Sequence, residues 1–391
     1  ESSVSSLKLR ASYGLSGNQE INNARSLVLL GSGPIAVLNG QEFQSIAPIQ
    51  LANPNLKWET TESLNFGLDF GILNGRLTGS LEYFRNKTRD LLLELPVPTT
   101  TGFSSSLQNV GDTKNSGFEF NISSNNFIGE FSWTTDFNLA TVRNEVLNLG
   151  ELPRILQGGT RFIQEFTLLE VGQPINSYYG YVSDGVFQSQ DEIDNNPSQA
   201  NAAPGSRKFK DINEDGIIDD KDRTVLGDPF PDFTFGLNNT LNYKGFSLDV
   251  FLEGKLGYEL ANFTNIDSEN PIDNLRNRQR YVLDRWTPEN PTNDTPSFVN
   301  PSRTFDFNSR IVEDASFVQL KNARIGYSFP NLKMNSISSL LVYVSGQNLA
   351  MFTNYKGYNP NVNALGTSNV RIDYNAYPLA TIYSLGINVK F

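Results

Sequence analysis

The sequence predicts an all-β protein: a transmembrane antiparallel β-barrel with short periplasmic turns and long extracellular loops. Three observations lead to this fold class. About ten segments alternate between apolar and polar residues, each near the roughly 9–11 residues that a tilted strand needs to cross a bilayer. Short and long connections alternate between these segments. No apolar run reaches the roughly 20 residues that a membrane-spanning helix requires.

The alternation is clearest in the last segment, "TIYSLGINVKF", where every second residue from Tyr383 to Phe391 is apolar. The same period of two recurs in the segments 64–70, 118–122, 131–139, 233–241 and 246–252. Successive side chains of a strand point to opposite faces of the sheet. Each segment therefore has one face rich in Phe, Leu and Ile, which suits the lipid bilayer. The other face is rich in Asn, Gly, Ser, Thr and acids, which suits a water-filled lumen.

The connections indicate the topology. Four of them are tight, at "ILNGR", "NNFIGE", "NYKG" and "PNLKMNS", and we expect their tips near Asn74, Phe127, Lys244 and Asn331 to be periplasmic. The others are long, irregular and rich in Pro, Asn and Gly: 18–58, 88–115, 143–230, 258–313 and 353–376. Such strict alternation is typical of outer-membrane barrels. A soluble β-sandwich or β-helix is the alternative, but a sandwich does not require all its long loops at one end.

Composition excludes several classes of function. The formal net charge of −11 would repel phosphate, which argues against nucleic acid as a partner. The 391 residues include no cysteine and no histidine, which excludes zinc fingers, thiol nucleophiles and Ser-His-Asp triads. We find no paired catalytic carboxylates and no phosphate-binding glycine loop, and we predict that the protein is not an enzyme. The opening residues carry no signal-peptide pattern, so either targeting information was removed or the sequence is the C-terminal piece of a longer protein.

Several stretches resemble SusC/RagA-type TonB-dependent outer-membrane transporters. They include "PNLKWETTESLNFGLDFGILNGRL", "PGSRKFKDINEDGIIDDKDRTVLGDPFPDFTFGLNNTLNYKGFSLDVFLEG", "RWTPENPTNDTPS", "FVQLKNARIGYSFP" and "VYVSGQNLAMFTNYKGYNPNV", and they occur in family order from about Leu7 to Phe391. The resemblance implies that residues 1–391 are the C-terminal part of a large barrel of about 22 strands around an N-terminal plug. The sequence contains neither the plug nor the first half of the barrel. We expect these to come from residues outside this sequence or from another chain.

The resemblance also implies a function in the outer membrane of a Gram-negative cell. The family implies energised import of oligosaccharides or peptides through the lipid bilayer. A SusD-like surface lipoprotein would act as lid, and the TonB complex would act through an N-terminal region that this chain lacks. The alternative is a SusC-like barrel that serves as a structural subunit of a larger outer-membrane complex for protein assembly or export.

Two sets of residues have both a functional and a structural interpretation. The acids expected on the lumen face either bind substrate or hydrate a polar interior: Asp69, Glu119, Asp136, Asp249 and Glu253. The aromatic run "SYYGYVSDGVF" either stacks on a glycan or peptide, or belongs to an interfacial girdle or to loop packing; its tyrosines are Tyr178, Tyr179 and Tyr181. Trp286, in "RWTPENP", is interpreted as structural.

The stretch "DINEDGIIDDKD", residues 211–222, predicts a structural Ca²⁺ site within the extracellular loop 143–230. Its spacing is that of an EF-hand loop, with Asp in place of the final Glu. Gly216 permits the sharp turn, Ile218 should pack away from the ion, and a short helix "DDKDRTV" should present the last ligand. The predicted ligands are Asp211, Asn213, Asp215, the backbone carbonyl of Ile217, Asp219 and Asp222. The alternative is a solvated acidic turn without a metal ion.

Overall fold

The computed structural model describes residues 4–19, 24–160, 163–269, 277–298, 306–329, 337–362 and 370–391. The first strands are β1 (Val4–Asn18), β2 (Leu30–Leu38), β3 (Gln41–Pro48), β4 (Glu59–Ile72), β5 (Leu77–Arg89), β6 (Leu92–Pro96), β7 (Ser105–Asn109), β8 (Asp112–Phe127) and β9 (Phe131–Ala140). They are followed by β10 (Arg143–Asn148), β11 (Arg154–Gly159), β12 (Gln164–Glu170), β13 (Ser177–Tyr181), β14 (Ser183–Val186), β15 (Ser198–Gln199), β16 (Arg207–Phe209), β17 (Ile217–Ile218) and β18 (Arg223–Gly227).

The last strands are β19 (Phe233–Tyr243), β20 (Phe246–Leu256), β21 (Glu259–Asn262), β22 (Val312–Asp314), β23 (Phe317–Phe329), β24 (Ser339–Thr353), β25 (Ile372–Asp373) and β26 (Ile382–Lys390). The α-helices are α1 (Gln190–Asp194) and α2 (Phe263–Glu269), and short 3₁₀ helices span Thr99–Thr101, Asp220–Asp222 and Arg280–Asp284. Among the described residues, no helix is long and apolar enough to cross a membrane.

One large antiparallel sheet organises the chain. Its strands follow one another in the order β1-β4-β5-β8-β9-β19-β20-β23-β24-β26, and β10 adds to β8. These ten strands agree with the number that the alternation predicted, and β4, β8, β9, β19, β20 and β26 correspond to the six alternating segments named above. In the described part of the chain, β1 and β26 form the two edges of the sheet.

The pairing register separates an apolar face from a polar face. On one row, Leu9, Leu68, Leu81, Phe120 and Leu139 lie side by side across five strands. The adjacent row of the opposite face contains Lys8, Asp69, Ser80, Asn121 and Asn138. A shift of one residue in any pair would exchange these faces. The register therefore keeps one face apolar for lipid and one polar for water, as predicted.

Tight hairpins close one end of the sheet. Tyr243 pairs with Phe246, so Lys244 and Gly245 alone form the turn between β19 and β20. Their φ angles of 45° and 89° are both positive, as a type I′ turn requires. A Cβ on Gly245 would lie 2.6 Å from the carbonyl oxygen of Ser328. Both the positive φ and this lack of space therefore require glycine at this position. The predicted tip at Asn331 lies outside the described residues.

The long connections contain more regular structure than their composition predicts. We call the described residues of the connections 141–232, 257–316 and 354–381 the loop body. Because these connections leave neighbouring strands at the same end of the sheet, their apolar side chains meet in a common core. That core comprises Ile163, Phe166, Tyr178, Ala261, Phe263, Ile266, Phe307, Ile311, Val370 and Ile372.

Candidate functional site

The polar face of the main sheet carries the acids that the sequence placed in the lumen. Arg10 lies 2.9 Å from Asp69, Arg324 lies 3.1 Å from Asp249, and Lys321 lies 3.0 Å from Glu253. Partly exposed pairs of this kind contribute at most about 1 kcal/mol each to stability. Three of the five predicted lumen acids are therefore paired with cations on the same face of the main sheet.

The other two predicted lumen acids, Glu119 and Asp136, have no ion-pair partner among the described residues. Asp136 lines a groove of about 520 Å³ together with Asp69, Asn121 and Asn138. The five acids thus extend along the wall, and only Asp69 and Asp136 share this groove. This spread along the sheet favours the structural interpretation, in which the acids hydrate a polar interior.

The tyrosines of "SYYGYVSDGVF" are packing residues of the loop body. Tyr178, Tyr179 and Tyr181 are all buried, and the Tyr178 hydroxyl donates a hydrogen bond to the backbone carbonyl of Arg371. The Tyr181 ring stacks on Phe209 with centroids 4.9 Å apart. These rings are covered by protein, so the geometry supports loop packing rather than stacking on a ligand. Trp286 is buried as well, and its indole N–H donates to the Gln188 side chain at 2.9 Å.

The acidic loop 211–222 folds into a tight turn around its own carboxylates. The Asp211 carboxylate accepts hydrogen bonds from the backbone N–H groups of Glu214 and Gly216, each at 2.8 Å. Asn213 and Asp215 each accept one from the backbone two residues further on, at 3.0 Å. Gly216 has a φ of 83°, the left-handed conformation expected for the sharp turn. The predicted positive φ at Gly216 is therefore confirmed.

Asp222 connects the two ends of the turn. Its fully buried carboxylate accepts hydrogen bonds from the backbone N–H groups of Ile212 and Asp219, both at 2.8 Å. Burial raises the pKa of this carboxyl, but the backbone donors lower it more, so the pKa lies below its ordinary value. Only Asp220–Asp222 is helical and Arg223 begins β18, so the predicted helix "DDKDRTV" is wrong beyond its first turn. Ile218 packs against Tyr181 and Phe209, as predicted.

A lysine occupies the open side of the acidic loop. The Lys221 ammonium lies 3.5 Å from a carboxylate oxygen of Asp215 and 3.6 Å from one of Asp219. In the part of the chain that the structure describes, no three acidic side chains are grouped closely enough to hold a metal ion. The residue types suit a hard cation, but a cation could enter only if the Lys221 side chain moved away and the carboxylates converged.

Sequence reasoning missed a buried ion network that joins three segments of the loop body. Arg207, which is only 4% exposed, lies 3.4 Å from the Glu269 carboxylate, and Arg310 contacts the other oxygen of that carboxylate. The Tyr281 hydroxyl donates to Glu269 at 3.2 Å. Burial lowers the pKa of Arg207 to about 10, and Glu269 opposes this shift, so the guanidinium stays protonated at neutral pH. No local sequence signal marks these residues, because they lie far apart along the chain.

Comparison with known proteins identifies the family. Residues 4–349 match the family described as "TonB dependent receptor-like, beta-barrel". The chain belongs to this TonB-dependent receptor β-barrel family. Two curated relatives are the TonB-dependent receptor P3 of Formosa agariphila, 36% identical over 99% of this chain, and the TonB-dependent receptor SusC of Bacteroides thetaiotaomicron, 29% identical over 99% of this chain. The chain spans 40% and 38% of the lengths of these two receptors.

Solved structures of TonB-dependent receptors agree with this assignment. The RagAB peptide importer in its "open-open" state aligns with 100% of this chain and 41% of its own chain, at a TM-score of 0.80 and 26% identity. The structure described as the RagAB peptide transporter aligns with 100% of this chain at a TM-score of 0.78 and 27% identity. The SusC/RagA-type resemblance seen in the sequence is therefore confirmed, and the chain is part of an outer-membrane β-barrel. In this family's barrel the apolar face of the main sheet meets lipid and the polar face lines the interior.

Proposed function

We propose that this chain is the C-terminal barrel portion of an energised importer of oligosaccharides or peptides. In this proposal a SusD-like lipoprotein covers the extracellular mouth, and the TonB complex acts through the N-terminal region that lies outside this chain. The observation that carries the proposal is the whole-chain similarity to RagAB, which is described as a peptide importer.

Two features of the structure support an import role. The polar face of the sheet carries hydrogen-bonding side chains and ion pairs along its length, which is the surface that a hydrophilic solute requires. The loop body is packed around a core of buried aromatic and aliphatic residues. The packed loop body is a suitable docking surface for a lid protein, because its residues lose little conformational entropy when a partner binds.

Deleting the full gene should abolish growth on one class of oligosaccharide or peptide and leave growth on free monosaccharides and amino acids unchanged. The reason is that solutes too large for passive diffusion depend on the energised route. Growth on a panel of such solutes as sole carbon source, with radiolabelled uptake, measures this. Two complementation experiments serve as controls. The intact gene should restore uptake, whereas a version without its TonB-contacting segment should not.

Unchanged uptake of every solute in the panel would contradict the import proposal. Co-purification of the intact protein with protein-assembly or export factors, and without a lipoprotein partner, would favour the structural-subunit alternative.

We also propose that the loop 211–222 binds Ca²⁺ in a structural role. The spacing of its oxygen-bearing residues supports this, as do the backbone hydrogen bonds that already orient Asp211, Asn213 and Asp215. On binding, the ion would take the place of the Lys221 ammonium between Asp215 and Asp219. This exchange makes Lys221 a competitor of the ion.

Chelation of Ca²⁺ should therefore increase protease cleavage within 143–230 in the full-length protein, by about tenfold if binding stabilises the loop by about 1.4 kcal/mol. Replacing both Asp211 and Asp215 by Ala should give fast cleavage with or without Ca²⁺, whereas Lys221→Met should tighten Ca²⁺ binding. The matched control replaces Asp191 and Asp194, on helix α1 of the same connection, by Ala. A well-ordered structure in millimolar Ca²⁺ with no ion between these side chains would rule the proposal out.

A further inference from the structure

Two cations converge on a single neutral oxygen at the loop end of the polar face. The Lys255 ammonium donates to Asn361 Oδ1 at 2.8 Å. The Arg371 guanidinium reaches the same Oδ1 atom at 3.3 Å. An amide oxygen carries only a partial negative charge, so it accepts hydrogen bonds from both groups without neutralising either.

The Arg371 guanidinium is held in a fixed position by neutral groups. Its Nε donates to the carbonyl of Val362 at 3.2 Å, and its plane lies over the Tyr258 ring, 4.9 Å from the centroid. The Tyr258 hydroxyl is in turn fixed on the carbonyl of Pro360 at 3.0 Å. Among the described residues, neither Arg371 nor Lys255 has a carboxylate partner. The two cations are therefore held in place with no carboxylate of the described residues within ion-pair distance.

Lys255 lies on the polar face of the main sheet, which lines the interior of the barrel. Lys255 lies on the same face of β20 as Asp249 and Glu253, near the end of the strand where the loop body begins. The neighbouring lysine, Lys321, is already neutralised by Glu253 at 3.0 Å. The whole chain has a formal net charge of −11. Two neighbouring cations without a carboxylate partner among the described residues are therefore a local feature of this position, not a consequence of an excess of basic residues.

Two like charges this close, partly removed from water, repel each other unless an anion joins them. A group with several negatively charged oxygens could accept hydrogen bonds from both side chains, and the fork geometry of arginine matches such groups. We propose that Lys255 and Arg371, bridged by Asn361, form a luminal subsite for one oxyanion group, a carboxylate or a sulfate, on the solute. The inference rests on the proposed import function, because it names a chemical feature of the imported solute.

Sulfate is the probe that tests the subsite directly. Full-length protein in detergent is titrated with sodium sulfate at constant ionic strength in a calorimeter, and crystals of the same protein are soaked in selenate. We expect saturable binding and an anomalous peak within hydrogen-bonding distance of Lys255 and Arg371. Lys255→Met should weaken sulfate binding by about tenfold or more, as the loss of a hydrogen bond to a charged group predicts. Lys255→Arg should retain it.

Lys8→Met is the matched control, because it removes the same charge from the polar face at β1, where Lys8 lies opposite Asp69. Absence of saturable sulfate binding by the wild type, or binding that Lys255→Met leaves unchanged, overturns the subsite. A structure of the full-length protein with one of its own carboxylates on Lys255 also overturns it, because the charge would then be compensated internally.

Uptake separates the subsite from the import proposal. Lys255→Met should reduce uptake of the solute that the growth panel selects. If sulfate binding is lost but uptake is unchanged, the site holds an adventitious ion only and the proposal fails. If the wild type imports no solute at all, the import proposal fails while the sulfate titration still reports on the site.

Discussion

Replacing Glu269 by Gln should destabilise the loop body by about 3–5 kcal/mol, the usual effect of removing one partner from a buried ion pair. Glu269 is the acid that Arg207 and Arg310 share. Arg207 cannot regain water in the folded state because it is buried, so its charge would be left without a carboxylate. The neutral amide would keep the shape of the site and remove only the charge.

Trp286 is one of three tryptophans in the sequence, and it gives a local signal for this experiment when Trp58 and Trp133 are replaced by Phe. Its backbone N–H donates to the carbonyl of Thr295, and the Thr295 hydroxyl contacts Arg310 at 3.3 Å. Thermal or denaturant unfolding followed by indole fluorescence should show an early transition in Glu269→Gln. Glu289→Gln, an exposed position in the same connection, is the control and should change stability by less than about 0.5 kcal/mol.

A double replacement decides whether the network itself causes the effect. The double variant Arg207→Met/Glu269→Gln should lose less stability than the sum of the two single variants. Each single change leaves the other side chain charged without that partner, whereas the double change removes both charges. Strict additivity of the two losses, or a Glu269→Gln protein as stable as the wild type, would show that the network is not coupled.

The Phe263→Ala substitution should destabilise the loop body by about 3–5 kcal/mol as well, through a cavity in its core. The Phe263 ring is buried and lies 4.8 Å from Phe166 and 5.8 Å from Phe307, measured between centroids. Phe166 comes from the connection 141–232, and Phe263 and Phe307 both come from 257–316, so the cavity would open at the point where these two connections meet.

Amide hydrogen exchange of the full-length protein measures this effect. Exchange should accelerate in 163–181 and around Phe307 while β23 and β24 in the main sheet stay protected. Tyr377→Ala, which removes an aromatic ring that is 93% exposed, is the control and should leave the protection unchanged. Accelerated exchange throughout the main sheet would mean that the loop body and the barrel unfold as one unit.

The main sheet was predictable because its determinants are local. Alternation with a period of two specifies which face each strand turns to lipid, and short turns such as Lys244–Gly245 fix which strands pair. The same holds for the turn at Gly216, where the side chains of Asp211 and Asp215 bond to backbone within five residues.

The packed connections were not predictable, because their contacts join residues that are distant in sequence. Tyr178 and Arg371 are separated by 193 positions, and Lys255 and Asn361 by 106. No periodicity marks such residues, and Pro, Asn and Gly in the same stretches suggest irregular structure. The buried position of Arg207 becomes visible only when the fold brings its neighbours together. The same is true of Lys255, which has no carboxylate partner among the described residues.

The strand order of the main sheet has a consequence for the order of assembly. Each strand pairs with a neighbour that precedes or follows it among the sheet strands, so hairpins can form early, with little loop-closure entropy. The core of the loop body instead requires Phe166, Phe263 and Ile372 to meet across strands β19 to β24. It can form only after those strands are in place and their connections have reached the far side of the membrane. Biogenesis should therefore pass through a stage with a paired sheet and unpacked outer loops, in which the extracellular end is the last part of this chain to become resistant to protease.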